Sequence, residues 1–254
     1  MDSHAVIWEE LKFFVNTLKG LHVSINLELS EKTFCVSTRT YSENWVYFPE
    51  GIINPEAVNM AVNFFRERDE EFMWPVYSGG RELLEGAGLI YAGDLAAMML
   101  KPERVSISDY RPDVKIFRSD DPEEWAITSW LGFGGSDEDF PENYRVFVKA
   151  LSEAGERISL YSAKYDGKNA GVFALTNECE VIGVYYFAVV PKFRRKGIAH
   201  AMMSEICRYA LSSEERSPKR IVLQSTPMGH EFYSKFGFTD LFKIPVYSTE
   251  SDIF

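Results

Sequence analysis

Cysteine is scarce in this 254-residue chain, and the scarcity excludes two kinds of protein at once. Its three cysteines, Cys35, Cys179 and Cys207, are odd in number and widely spaced. They form neither a disulfide framework nor the close pairs of a zinc site, so no metal is expected. Long apolar runs are missing as well, and no stretch approaches the ~20 residues that a membrane span needs. A basic excess is also absent: 27 Lys and Arg stand against 38 Asp and Glu, for a net charge of −11. A general nucleic-acid binder would carry a basic face instead. The acidic balance favours cationic over anionic small molecules as substrates. The first residues, MDSHAVIWEELKFF, are acidic and amphipathic rather than basic and then apolar, so no secretory signal and a cytoplasmic setting are expected.

What is present suits a globular protein. Apolar residues make up 46% of the chain, and its length leaves one large or two modest domains open. Val6, Ile7, Leu11, Phe14, Val15 and Leu18 recur at helical spacing. Strand-like runs follow over Leu21–Leu29, Phe34–Tyr41 and Asn44–Phe48. Asn54 and Pro55 then start a helix to about Arg68 as cap and first residue. Phe72–Ser78 reads as a short strand that Pro75 confines to an edge or a bulge. A short helix over Glu82–Gly86 and a strand over Leu89–Leu100 complete this half. Lys101–Pro112 is polar and flanked by prolines, the natural boundary. The division expected is residues 1–108 and 109–254.

The second half opens with a strand at Val114–Phe117. A helix start at Asp120–Glu124 follows, with a cap, a proline and acids in the first turn, and the helix runs through Trp125 to about Trp130. Trp130–Asp139 is a glycine-rich and then acidic loop, and Glu142–Glu153 is a second amphipathic helix. Three strands form a meander over Ile158–Tyr165, Ala170–Thr176 and Val181–Val190, the first two joined by the hairpin signal Asp166-Gly167-Lys168-Asn169. Further on come a helix over Ile198–Leu211, a strand over Ile221–Gln224, a short helix containing Tyr233 and a last strand over Phe238–Tyr247. The fold class is therefore mixed α/β.

The most informative stretch is Tyr185–Ala210, YYFAVVPKFRRKGIAHAMMSEICRYA. A strand ends at Pro191, three consecutive cations follow, then Gly197-Ile198-Ala199, then an amphipathic helix. Loop amides and the positive end of a helix converge in such a connection, which suits the capture of a pyrophosphate. Arg194-x-x-Gly197-x-Ala199, preceded by Val189-x-Pro191, resembles the acetyl-CoA signature of the GNAT superfamily of CoA-dependent N-acetyltransferases. The resemblance covers about residues 114–248, and the element order found there, β-α-α-β-β-β-α-β-α-β, is the one it implies.

An internal repeat extends the resemblance. Glu82–Leu89 aligns with Glu231–Phe238: a short helix, a glycine at its end, and an apolar residue opening a strand. The first copy has Pro49–Asn54 where the second has the cationic turn, and Leu84 where the second has Tyr233. Residues 1–108 thus resemble a degenerate GNAT-like half without a CoA turn, so two tandem GNAT-like halves are expected, with strands splayed around a cofactor cleft in the second.

By resemblance, Phe187 and Val189 offer main-chain groups to the pantetheine arm of acetyl-CoA. Arg194, Arg195, Lys196, Gly197, Ile198, Ala199 and His200 hold the pyrophosphate through amides and charge. Tyr233 takes the role of general acid to the departing thiolate, and its ordinary pKa of ~10 keeps it protonated at neutral pH. A base is not evident, since Gly183-Val184-Tyr185-Tyr186 holds no carboxylate or imidazole. A water chain, Glu178, Glu180, His230 and the carboxylate of Phe254 are the alternatives. Trp130, Phe133, Asp137, Glu138 and Asp139 border the acceptor, an amine of a small molecule or peptide that the three acids would favour as a cation. The resemblance implies acetyl transfer to a primary amine. A non-catalytic acyl-CoA sensor is the alternative, and monomer and homodimer both stay open.

Overall fold

A computed structural model describes residues 3–40, 43–47, 54–76, 79–104, 107, 113–178, 181–212 and 219–249. The chain forms two compact units. One comprises Met1–Met98 with Gln224–Tyr233 and Asp240–Phe254, the other Met99–Leu223 with Ser234–Thr239. The boundary drawn from sequence at 108/109 falls in a stretch that lies largely outside the described residues.

In the first unit, α1 (Ser3–Lys19) buries Ile7, Leu11, Val15 and Leu18 along one face. It packs near β2 (Phe34–Ser37) and β3 (Trp45–Tyr47), which with β1 (Ile25–Glu28) form an antiparallel sheet in the order β1-β2-β3. β1 is shorter than its apolar run suggests. Leu21–Ser24 form a turn instead, held by the amide of Ser24 on the carbonyl of Leu21 and by its hydroxyl on the carbonyl of Leu18. α2 (Pro55–Arg66) starts where expected: the side chain of Asn54 accepts from the amide of Ala57 at 2.8 Å. Phe65, Phe72 and Trp74 meet in the core below it. β4 (Trp74–Pro75) is two residues long and ends its sheet, so Pro75 costs no central ladder bond. It pairs antiparallel with β11 (Thr239–Ser248), which lies between β4 and β5 (Ile90–Leu100).

α3 (Arg81–Gly86) closes with Gly88 at φ +87°, and α7 (Pro227–Phe236) closes with Gly237 at φ +119°. Each helix leads straight into a strand, so the short aligned repeat corresponds to one structural device used twice. The preceding elements, β3-α2-β4 and β9-α6-β10, correspond as well. Pro49–Ile53, the counterpart of the cationic turn, lie outside the described residues.

The second unit is a mixed sheet. β6 (Val114–Arg118), β7 (Ile158–Tyr165), β8 (Lys168–Glu178) and β9 (Val181–Val189) run antiparallel, and β10 (Arg220–Ser225) joins β9 in parallel. α4 (Pro122–Gly132), α5 (Glu142–Ser152) and α6 (Ile198–Leu211) cover it. Asp121 caps α4 by accepting from the amides of Glu123 and Glu124. Gly171 faces Met202 of α6, while Ala188, which pairs with the next residue of β8, faces Gly132 of α4. Neighbouring positions of a strand point to opposite faces, so α4 and α6 lie on opposite sides of the sheet.

Candidate functional site

β9 carries the site, and its two irregularities shape it. The ladder to β10 runs through Arg220–Val181, Ile221–Ile182 and Val222–Gly183, after which β9 continues to Val189 without it. On its other edge the register to β8 slips. Val172 pairs with Ala188 and Ala174 with Tyr185, so Tyr186 and Phe187 together oppose Phe173. Tyr186 accordingly adopts φ +52°, the left-handed region. A bulge of this kind bends the strand and turns backbone groups out of the regular ladder. Nothing in the sequence announces it, because no glycine marks the position. The ring of Tyr186 instead lies between those of Trp125 and Phe147, and that packing overrides the backbone preference.

Beyond β9 the chain tightens. The amide of Val190 donates to the carbonyl of Ala170, and Pro191–Phe193 make one 3-10 turn with Phe193 buried. Arg195 then takes φ +60° and Gly197 φ +76°. The first α-helical bond of α6 runs from the amide of Ala201 to the carbonyl of Gly197. The amides just before it have no acceptor within the helix, and Gly197, at the cap position, has no side chain to supply one. Left-handed residues followed by the positive end of a 14-residue helix are an arrangement that suits an anion. Ala199 adds little bulk beside it.

The three cations of the turn have different surroundings. Arg194 donates from Nε to the carbonyl of Val189 at 3.1 Å and from a terminal nitrogen to the carbonyl of Gly132 at 2.9 Å. Lys196 lies over the rings of Tyr165 and Phe193, 4.9 and 5.5 Å from their centroids. Arg195 is exposed. His200 is exposed on the first turn of α6, against the ring of Phe236 and 3.4 Å from the hydroxyl of Ser204. Phe187 and Val189 are half-buried on β9.

Tyr233 sits in α7 and is 9% exposed. Burial pushes its hydroxyl well above the ordinary tyrosine range, so it is a neutral donor at any physiological pH. Its ring packs directly on Gly229, one turn earlier. His230 does not stand alone: its Nε2 lies 2.9 Å from both carboxylate oxygens of Asp240. Glu180 and Phe254 lie outside the described residues, as does the side chain of Glu178.

The loop after α4 is more ordered than its composition suggests. Trp130 donates from its indole nitrogen to the carbonyl of Ser136 at 2.9 Å, and its ring fills the space where a Cβ of Gly135 would stand. Phe140 and Tyr144 pack against the same indole. Asp137, Glu138 and Asp139 are all exposed, and Asp139 accepts from the hydroxyl of Ser136. Phe133 is 62% exposed at the end of α4. Two contacts here escaped sequence reasoning, the reach of Arg194 to Gly132 and the approach of Gly132 to Ala188, because both join residues more than 50 positions apart. The described residues contain no group of side chains that could hold a metal and no helix long and apolar enough to cross a membrane.

Residues 135–248 match the family model described as an acetyltransferase (GNAT) domain. A GCN5-related N-acetyltransferase from Kribbella flavida has a similar fold at a TM-score of 0.65 and 12% identity, over 97% of this chain and 95% of its own. A GCN5-related N-acetyltransferase from Sphaerobacter thermophilus aligns at 0.60 and 13% identity, over 87% and 81%. A tandem GNAT protein from the clavulanic acid biosynthesis pathway aligns at 0.60 and 11% identity, over 93% and 86%. No curated protein matches the sequence.

Proposed function

We propose, from the match of residues 135–248 to the acetyltransferase (GNAT) domain model, that the chain transfers an acetyl group from acetyl-CoA to a primary amine. The observation that carries this reading is the turn from Val190 to Gly197, whose left-handed residues open α6 toward an anion. Amides from Arg195 to His200 hold the pyrophosphate, and Arg195 and Lys196 add positive charge. The main chain of β9 around Phe187 and Val189 receives the pantetheine arm. The bulge at Tyr186 turns backbone groups toward the thioester carbonyl, where negative charge develops.

The neutral amine attacks the thioester carbon, the carbon–sulfur bond breaks, and the thiolate takes a proton from Tyr233. The proton lost by the amine leaves through water, because β9 presents no carboxylate or imidazole between Gly183 and Tyr186. Trp130, Phe133, Asp137, Glu138 and Asp139 border the acceptor, and the exposed acids favour a cationic amine. In the N-terminal half Leu84, fully buried, stands where the second copy has Tyr233, so that half contributes scaffold and no acid. We place the protein in the cytoplasm, where acetyl-CoA and a reduced thiol pool coexist.

Thermal unfolding with and without acetyl-CoA tests the binding half of the reading. At 100 times Kd the ligand adds about 2.7 kcal/mol, which raises Tm by about 5–11 °C at this chain length. Thiol release across a panel of neutral and cationic amines tests the chemistry. Tyr233→Phe lowers turnover by about tenfold or more, with about 10²–10⁴-fold for the full loss of a general acid, and acetyl-CoA affinity is retained. Binding without release for any amine would support the acyl-CoA sensor, and full turnover in Tyr233→Phe would remove the acid role.

A further inference from the structure

Arg194 is the one cation of the turn whose guanidinium is tied to backbone on two different elements among the described residues. Its Nε bonds the last carbonyl of β9, and a terminal nitrogen bonds Gly132, the last residue of α4. The carbonyl of Gly132 is one of the four that an α-helix leaves without an internal donor. A cation is favoured there by the helix dipole, and the planar fork of arginine can serve two acceptors at once.

Gly132 is gripped from a second side. A Cβ at this position would lie 2.7 Å from the Cβ of Ala188, so α4 meets β9 at a distance only glycine allows. The chain beyond Gly132 is short and pinned. The amide of Phe133 bonds the carbonyl of Ser129, that of Gly135 bonds the carbonyl of Trp130, and the Trp130 indole bonds the carbonyl of Ser136. A displacement of Gly132 therefore reaches Ser136 and the acids after it with little slack.

We propose that Arg194 is a positioning residue that couples the cofactor turn to the acceptor-side loop, so that occupation of the turn sets the place of Phe133–Asp139. Its guanidinium is engaged by protein carbonyls, and the pyrophosphate is held by the amides that follow it. The inference rests on the proposed CoA reading, since the ligand that would order the turn is the pyrophosphate of CoA.

Amide hydrogen exchange on the full-length chain, with CoA as the probe, tests the coupling without knowledge of the acceptor. In the wild-type protein saturating CoA should slow exchange across 133–139 by about threefold or more, the signature of local opening made rarer. Arg194→Gln should bind CoA within about fivefold of wild type, yet lose the CoA-dependent slowing, because the link and not the site is cut. Arg194→Lys keeps the charge without the fork and should restore only part of it. A purely structural role would speed exchange equally with and without CoA. CoA-dependent slowing that persists in Arg194→Gln, or that is missing from wild type with CoA bound, overturns the coupling. So does a loss of CoA affinity beyond about fivefold, which would make Arg194 a phosphate ligand of the strength of a charge-assisted bond. If Arg194→Gln fails to fold, Arg194→Lys carries the comparison. Wild type that does not bind CoA at all overturns the cofactor reading and the coupling with it.

Discussion

Gly229→Ala separates the position of Tyr233 from its presence. Gly229 is the third residue of α7, and a Cβ added there would stand 2.9 Å from Cε2 of the Tyr233 ring and 3.2 Å from the hydroxyl oxygen of Ser225. Carbon atoms rest at about 3.5–4.0 Å, so the ring must withdraw by roughly 0.6–1.1 Å. A rigid ring inside a buried site moves as a whole and takes its hydroxyl with it. Two opposing terms set the stability change. Alanine is better than glycine in a helix by about 1 kcal/mol, and overpacking costs about 1–3 kcal/mol. The net is a loss of about 0–2 kcal/mol, or a Tm lower by about 0–8 °C. Turnover should fall further than stability, because a misplacement near 1 Å can cost about 10²-fold. Thiol release at saturating acetyl-CoA measures this, with calorimetric titration to show that cofactor affinity is kept. In a Tyr233→Phe background the alanine should cost nothing more, since both changes act on one hydroxyl. Wild-type turnover in Gly229→Ala, alongside a loss in Tyr233→Phe, would refute the claim that Gly229 sets the place of the tyrosine.

Two further outcomes follow from groups outside the site. Burial pushes the thiol of Cys207 up to about 12. The unfolded thiol ionises near its ordinary value while the folded one stays protonated, so its contribution to stability is complete below pH 9 and is lost as pH rises toward 12. Urea midpoints at pH 7, 9 and 10.5 should therefore decline, and Cys207→Ala should flatten the decline; an unchanged slope would show that the thiol is not its source. Asp121→Ala removes the acceptor for two amides at the start of α4, and should cost about 1 kcal/mol. A Tm within 1 °C of wild type would show that the cap contributes little.

Much of the architecture was legible because local chemistry and tertiary packing agree. Asn54 with Pro55 and Asp121 with Pro122 start helices in any context that lets a cap form. The apolar runs of the meander and the hairpin signal Asp166–Asn169 specified β7, β8 and β9 to within two residues. Where expectation and structure part, a contact made only in the folded chain decides. Leu21–Ser24 leave the strand because the carbonyl of Leu18, at the end of α1, accepts from both the amide of Leu21 and the hydroxyl of Ser24. α4 continues to Gly132, two residues past the expected end, because the absence of a side chain lets it reach Ala188.

The sequence by itself determined the turn of Arg194-x-x-Gly197-x-Ala199 and the helix after it, since a left-handed glycine and an amphipathic period are local properties. It also determined the repeated short helix closed by Gly88 and Gly237. Only the tertiary structure decided what those residues face. It turned Arg194 onto two carbonyls, seated Lys196 over Tyr165 and Phe193, and bulged β9 at Tyr186. The physical reason is the same in each case. A side chain's partner is chosen by whichever elements packing brings within about 3–5 Å of it, and spacing along the chain does not encode that distance.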